Sequence, residues 1–238
     1  MANTRGAGSG VPEVRVEDGI TVVTLERKVL GENERLAAEN RKLLAAHGTL
    51  ALNLVSSPGA GKTTLLVETL RALAGEVRCA VIEGDQQTAN DARRIAETGV
   101  RVVQINTPSA CHLNAAQVGR ALAELPLQGT ELLFIENVGN LICPTSYDLG
   151  EAEKVALLSV TEGEDKPLKY PGIFSRARIL LLTKTDILPH LRFDLELCKR
   201  NALRINADLE IIETSAFDRG TLEPWLGYLR RRLRESRQ

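Results

Sequence analysis

Between residues 50 and 70 the chain runs from Leu50-Ala51-Leu52-Asn53-Leu54-Val55, through Ser56-Ser57-Pro58-Gly59-Ala60-Gly61-Lys62-Thr63-Thr64, into Leu65-Leu66-Val67-Glu68-Thr69-Leu70. That order predicts a buried strand, a small-residue loop and a helix. Gly59 and Gly61 allow the backbone to curl so that successive N–H groups point inward at an anion. A helix opening at Lys62 adds its unpaired N–H groups and the positive end of its dipole. In such a loop Lys62 neutralises the outer phosphates of a nucleoside triphosphate, and the Thr63 hydroxyl holds Mg²⁺. The expected nucleotide contacts are therefore Ser57, Pro58, Gly59, Ala60, Gly61, Lys62, Thr63 and Thr64. Ser56 stands where the pattern has glycine. An ordinary strand-to-helix turn can also contain Gly-Lys-Thr; the flanking strand and helix favour the phosphate loop.

Downstream the chain alternates. Strands are expected over residues 78–83, 100–105, 131–136, 154–160, 178–183 and 209–212, and helices over 88–97, 113–125, 192–205 and 221–233, the last with Thr221 as N-cap. Continuous apolar strands alternating with helices imply an α/β fold with a mostly parallel sheet covered on both faces. Upstream, residues 14–25 alternate loosely and suggest a short extended segment. Residues 28–46 repeat apolar pairs every seventh position (Val29/Leu30, Leu36/Ala37, Leu43/Leu44), which predicts a helix that ends at Gly48. Asn33 and Asn40 fall on its apolar face and argue against an isolated coiled coil, so the helix should dock on the main domain or on a partner subunit. Residues 1–12 read as a disordered tail, 13–48 as the extended segment and helix, and 49–238 as one nucleotide-binding domain.

Charge narrows the partners. Lys and Arg total 30 against 31 Asp and Glu, and aromatic residues make up 3%, so neither a basic field nor stacking platforms for nucleic acid are present. No apolar run approaches the roughly 20 residues needed to span a bilayer, and the start is not hydrophobic in the manner of a signal peptide. A cytoplasmic location is expected, where Cys79, Cys111, Cys143 and Cys198 serve as thiols or metal ligands rather than disulfides.

Two strand ends carry acids. The run Leu132-Leu133-Phe134-Ile135 ends on Glu136, and its neighbour ends on Glu83-Gly84-Asp85. A carboxylate at the end of a buried strand is costly unless it is used, and beside a phosphate loop the natural use is Mg²⁺ or its water shell. Asp85 could engage Mg²⁺ or the attacking water only when the γ-phosphate is present. With Lys62, these two acids form the candidate catalytic set. Thr183-Lys184-Thr185-Asp186 is similar to the Asn-Lys-x-Asp element that selects guanine: a carboxylate at Asp186 accepts from guanine N1–H and the N2 amino group, and the Lys184 stem covers the base. Thr214-Ser215-Ala216 fits the loop whose backbone covers guanine O6, which adds Ser215 and Ala216 to the expected contacts and favours GTP over ATP.

Cys79 lies inside a strand, and Cys198 on a helical stripe with Leu191, Leu195, Ala202 and Ile205; both read as core. Cys111-His112 falls at an expected helix start, where a thiol pKa is lowered, and Cys143 follows Glu136 by seven residues. Both segments leave the same edge of a parallel sheet as the phosphate loop. Cys111, His112 and Cys143 are thus a candidate site for zinc or nickel. Three ligands leave one position for exchange or for a second subunit across a two-fold axis.

Together these residues resemble the hydrogenase nickel-incorporation GTPases, the HypB-type metallochaperones. The resemblance runs from about residue 14 to the end and is carried by residues 56–64, Glu83-Gly84-Asp85, Cys111-His112-Leu113, Glu136-Asn137-Val138-Gly139-Asn140-Leu141-Ile142-Cys143-Pro144 and Asp165-Lys166-Pro167-Leu168-Lys169-Tyr170-Pro171. It implies a P-loop NTPase of the SIMIBI type that uses GTP/GDP and Mg²⁺. It implies further a GTP-dependent homodimer that delivers Ni²⁺ to the precursor of the [NiFe]-hydrogenase large subunit, together with a HypA-type nickel-binding protein. In that family, residues matching Cys111, His112 and Cys143 bind nickel or zinc at the dimer interface. Residues 1–12 contain neither Cys nor His, so a metal-storage tail is not expected. The alternatives are the urease-type nickel-inserting GTPase, which usually carries a Cys-Pro-His motif, a P-loop small-molecule kinase and a metal-storage protein.

Overall fold

The computed structural model describes residues 13–17, 20–24, 26–85, 89–107 and 111–237, with side chains from Leu30 onward apart from Asp85. The expected tail, 1–12, lies outside these residues. Where one extended segment was expected, the chain forms an antiparallel hairpin, β1 (Glu13–Glu17) and β2 (Ile20–Thr24). The long helix follows as α1 (Glu26–Ala46).

The main sheet has seven parallel strands: β3 (Leu50–Ser56), β4 (Cys79–Asp85), β5 (Arg101–Asn106), β6 (Leu132–Glu136), β7 (Glu153–Ser159), β8 (Ala177–Thr183) and β9 (Glu210–Glu213). Their order is β5-β4-β6-β3-β7-β8-β9. β3 lies at the centre, where the winding reverses, between β6 and β7. Register places Leu54 beside Glu136 and Glu83 beside Glu136. The acids of two strands and the loop after a third therefore converge at one edge.

Alternate β3 side chains serve opposite faces. Leu52 and Leu54 pack with α2 (Lys62–Leu73) and α8 (Arg219–Glu235), through Leu66, Leu70, Trp225 and Leu229. Ala51 packs with α4 (Ala115–Ala123) through Val118 and Leu122. Val55 joins Ile173 and Phe174 of α6 (Pro171–Arg176) and Cys198 and Ala202 of α7 (Leu195–Ile205). Two further short helices, α3 (Asn90–Ala96) and α5 (Lys166–Lys169), complete the layer. Burial pushes the thiols of Cys79 and Cys198 up to about 12, as expected of core cysteines. Leu191, by contrast, is exposed and lies before α7, so it is not part of that stripe.

Two caps differ from expectation. Asp218, not Thr221, caps α8, accepting from Gly220 N at 2.9 Å; the Thr221 hydroxyl instead accepts from Ser215 N at 2.8 Å. α4 begins at Ala115 rather than 113, because Asn114 and Gln117 close a reciprocal capping box.

Asn33 and Asn40 explain why α1 is not a free amphipathic helix. Asn33 Oδ1 accepts from Ala115 N (2.9 Å) and its Nδ2 donates to Asp148 O (2.7 Å). Asn40 Nδ2 donates to Ala115 O (2.9 Å) and Leu149 O (3.0 Å). Each asparagine thus ties the start of α4 to residues 148–149, docking α1 on the main domain. Asn40→Ala leaves two buried carbonyls without this donor and is expected to cost about 2–4 kcal/mol in urea denaturation. Arg35→Ala, whose ion pairs with Glu32 and Glu39 lie in solvent, is the control that should barely move the midpoint.

Candidate functional site

The loop after β3 turns on Gly59 (φ 75°) and Gly61 (φ 89°), left-handed backbone that L side chains rarely adopt. The departure at Ser56 has a use: its Oγ accepts from Lys62 Nζ at 3.0 Å and donates to Ser57 O at 2.7 Å. A cavity of about 500 Å³ opens over the loop. Pro58 to Thr64 line it, facing Glu83, Gly84, Glu136 and Asn137. Of the expected contacts in the loop, only Ser57 lies outside this lining.

Lys62, half-buried, and Glu136, buried, face the same cavity. Burial pulls the Lys62 ammonium down, against the pull of Glu136 and more weakly Asp91, Glu83 and Glu162. Burial pushes the Glu136 carboxyl up, opposed by Lys62 and by the Thr63 hydroxyl. Thr63 Oγ1 donates to Glu136 Oε1 at 2.7 Å, while the buried Oε2 has no hydrogen-bond partner among the described residues. A hydroxyl beside a buried carboxylate oxygen without a partner is a donor set that fits a hard, oxygen-preferring dication such as Mg²⁺. Asp85 is placed by its backbone at the end of β4, opposite Asn106 and two residues beyond the buried Glu83.

Two wall residues carry no signal in the sequence. Arg94 on α3 donates to Thr64 Oγ1 (3.0 Å) and pairs with Asp91 (3.1 Å), and both line the cavity. An Asp and an Arg three apart on a short polar helix read as a solvated face.

Lys184 connects this cavity to a second one. It is the one non-glycine at positive φ (61°) among the described residues, and its Nζ donates to Gly59 O at 2.7 Å. Thr183, in place of asparagine, donates through Oγ1 to Ala60 O at 2.7 Å, so β8 is tied to the phosphate loop. The second cavity, about 150 Å³, is lined by Ala60, Gly61, Lys184, Asp186, Ser215 and Ala216 among others. Ser215 Oγ donates to Asp186 Oδ1 at 2.6 Å and accepts from Phe217 N at 3.1 Å, which fixes the carboxylate on the cavity wall. A mostly apolar slot with one oriented carboxylate suits a purine base that presents donors.

Cys111, His112 and Cys143 come together as well, with ligand atoms within 4.8 Å of one another and all three residues half-buried. Cys111 Sγ lies 3.5 Å from His112 Nδ1, and the His112 ring rests on Tyr147 at 3.9 Å between centroids. Burial lowers the His112 pKa, favouring the neutral imidazole a metal needs. The expected lowering of the Cys111 thiol by a helix N-terminus is overturned. The helix begins at Ala115, and the thiol of Cys143 beside it, with burial, pushes the Cys111 pKa up. Cys143 opens a 3-10 turn, Cys143–Ser146, and its neighbour Ile142 is 65% exposed. Two sulfurs and one imidazole suit zinc or nickel, and a fourth position remains for a further ligand. Among the described residues no helix is long and apolar enough to cross a membrane.

The profile of the family described as CobW/HypB/UreG, nucleotide-binding domain, matches residues 50–213. The chain is 55% identical over 208 residues to the hydrogenase maturation factor HypB of Escherichia coli strain K12, covering 87% of this chain and 72% of that protein. Its structure superposes on that of HypB from Helicobacter pylori in complex with nickel with a TM-score of 0.83 at 39% identity, covering 87% of this chain and 97% of the other. FtsY from Mycoplasma mycoides, at 16% identity and a TM-score of 0.53 over 76% of this chain and 68% of its own, shares the fold alone. A family model over residues 50–213 and relatives at this identity and coverage show that the chain belongs to the CobW/HypB/UreG family of P-loop GTPase fold, among its HypB hydrogenase maturation factors.

Proposed function

We propose that this chain hydrolyses GTP to GDP and phosphate and uses that cycle to deliver Ni²⁺ to the precursor of the [NiFe]-hydrogenase large subunit. The backbone N–H groups of residues 59–63 and the Lys62 ammonium hold the phosphate chain. Thr63 and Glu136 would hold Mg²⁺, which when bound neutralises charge on the phosphate oxygens. Asp85 follows Glu83 and Gly84 of the cavity wall, and we assign it to Mg²⁺ or to the attacking water. Asp186, Ser215 and Ala216 select guanine, and Lys184 covers its face. Cys111, His112 and Cys143 carry the nickel or zinc ion as cargo. A GTP-dependent homodimer, a HypA-type nickel donor and the hydrogenase precursor complete the reading, which the HypB relatives support through their role as maturation factors. The site of action is the cytoplasm.

The observation that carries the coupling is the contact between the two sites. A methyl group at Gly139 would stand 3.0 Å from Pro58 Cα, so the segment leading to Cys143 lies directly on the phosphate loop. A loop that moves with the γ-phosphate therefore moves a segment bearing a metal ligand. The test is a Ni²⁺ titration in GDP and in a non-hydrolysable GTP analogue, with the mass of the protein measured in both. Different affinities and masses are expected; identical values in the two states would exclude the switch.

Base selection has its own test. Guanine offers two donors to a carboxylate, whereas xanthine offers one donor and one carbonyl, the pattern an amide matches. Asp186→Asn should weaken GTP by roughly 100-fold and bring xanthosine triphosphate into the range of wild-type GTP, since an unpaired buried group costs about 2–3 kcal/mol. Competition against a fluorescent GDP analogue reads both numbers.

A further inference from the structure

Cys143 has its route to the nucleotide through Gly139; Cys111 and His112 need another. The residue after them, Leu113, is fully buried. Its side chain lies flat on Gly84, where a methyl group would stand 2.9 Å from Cγ, Cδ1 and Cδ2 of the leucine. Its backbone N–H donates to Asn137 Oδ1 at 3.1 Å. Gly84 directly precedes Asp85, and Asn137 directly follows Glu136. Since Glu83 pairs with Glu136, Leu113 spans the ends of both strands that carry the nucleotide-site acids.

Asn137 is itself held firmly. Its Oδ1 also accepts from Val138 N (3.0 Å), and its Nδ2 donates to Asn53 Oδ1 (3.3 Å). Asn53 Nδ2 in turn donates to Glu151 Oε1 (3.1 Å), and Glu151 Oε2 accepts from Leu149 N (2.7 Å). On the other side, Ala115 is gripped at both its N–H and its carbonyl by Asn33 and Asn40 of α1. Residues 111–115 form a short arm, fixed at Ala115 by α1 and resting at Leu113 on two strand ends. A displacement of Gly84 or Asn137 must be taken up by this arm, because close-packed contacts of this kind shift as units.

We propose that Leu113 is a positioning residue that transmits the nucleotide state to His112 and Cys111, through its packing on Gly84 and its backbone bond to Asn137. Nucleotide state then sets where two of the three metal ligands stand relative to the third. This rests on the GTPase switch proposed above, and coupling of this kind requires only that the arm sit differently in the two nucleotide states. Leu113 touches neither metal nor nucleotide in the assigned roles, so its effect must appear in the relation between the sites rather than in either alone.

The experiment compares wild type, Leu113→Met and Leu113→Ala. Each is titrated with Ni²⁺ in GDP and in the non-hydrolysable GTP analogue, following the thiolate-to-metal absorption band. Wild type gives a ratio of affinities different from one. Leu113→Met, which keeps the packing, should retain that ratio. Leu113→Ala should bring it to within about twofold of one, with one metal still bound per chain, GDP affinity within about twofold of wild type and an altered band shape. The double variant Gly84→Ala with Leu113→Ala puts a methyl group back into the gap and should recover part of the ratio, with GDP affinity measured separately because Gly84 lines the cavity. Should Leu113→Ala fail to fold, Leu113→Val makes the same measurement with a smaller loss of packing. A wild-type ratio persisting in Leu113→Ala or Leu113→Val overturns the arm while leaving the switch standing; a wild-type ratio of one overturns the switch, and the arm with it.

Discussion

Lys62→Ala is expected to abolish useful nucleotide binding without weakening the nucleotide-free protein. Lys62 is half-buried, and among the described residues its ammonium donates one hydrogen bond, to Ser56 Oγ at 3.0 Å. Burial already pulls its pKa down, so the charge is held there at a cost that nearby acids only partly offset. In the nucleotide-free protein, removing it leaves the Ser56 hydroxyl one donor short, while the Ser56 bond to Ser57 O remains. Glu136 loses the charge that most opposes its burial and takes up a proton more readily, still bonded to Thr63. Neither change touches the apolar core. With phosphate present the balance reverses. Charge-assisted contacts are worth about 1.5–3 kcal/mol each, so losing the lysine should weaken GTP and GDP by about 100-fold or more. Thermal melts make the contrast visible. Wild type should gain stability with Mg²⁺ and GDP, about 2.7 kcal/mol at a ligand concentration 100 times its Kd, whereas the variant at that same concentration should gain no more than about 0.4 kcal/mol. A variant that still hydrolyses GTP at the normal rate would take the phosphate-loop role away from Lys62.

This site was legible in the sequence because each of its parts is local. Residues 50–64 contain strand, loop and helix start in one run, and Glu136 is conspicuous as an acid closing an apolar strand. The HypB resemblance was legible for the same reason, being carried by short blocks such as residues 136–144. What stayed hidden depends on partners far along the chain. Asn33 and Asn40 look like faults in an apolar stripe until Ala115, Asp148 and Leu149 are seen to receive them. Thr221 and Asp218 are both able to cap a helix, and the choice is made by Ser215 N, which engages the threonine hydroxyl. Arg94 enters the cavity only because α3 lies beside α2, where Thr64 accepts its hydrogen bond. Two misses, however, had local signals. Asp18-Gly19 between two alternating runs marks a hairpin, and Asn114-Ala115-Ala116-Gln117 marks a capping box that starts α4 beyond Cys111 and His112.

That last correction changes what is expected of the candidate metal site, and the substitution Cys111→Ala with Cys143→Ala tests it most severely. With the helix beginning at Ala115, no helix terminus activates the Cys111 thiol; the two thiols stand against each other and raise the Cys111 pKa, which disfavours thiolate until a cation is present. Metal binding must therefore draw on all three ligands together, because the metal itself has to displace the thiol protons. Removing both sulfurs leaves one imidazole, His112, tilted against the Tyr147 ring. Bound zinc or nickel should fall from about one equivalent per chain to none after desalting, a loss of more than about 100-fold in affinity, since perturbing even the supporting shell of a metal site costs 10–100-fold. The fold should survive, because neither thiol belongs to the buried clusters and both residues are only half-buried. Nucleotide affinity should survive too, since neither cysteine lines the phosphate or the base cavity. What should disappear is the dependence of the GTP state on metal: by reciprocity, a site that no longer holds nickel can no longer shift the affinity for GTP against GDP. Elemental analysis with nucleotide titration on the same preparation checks both halves. Unchanged metal content would return Cys111 and Cys143 to ordinary half-buried thiols and remove nickel from this edge of the sheet.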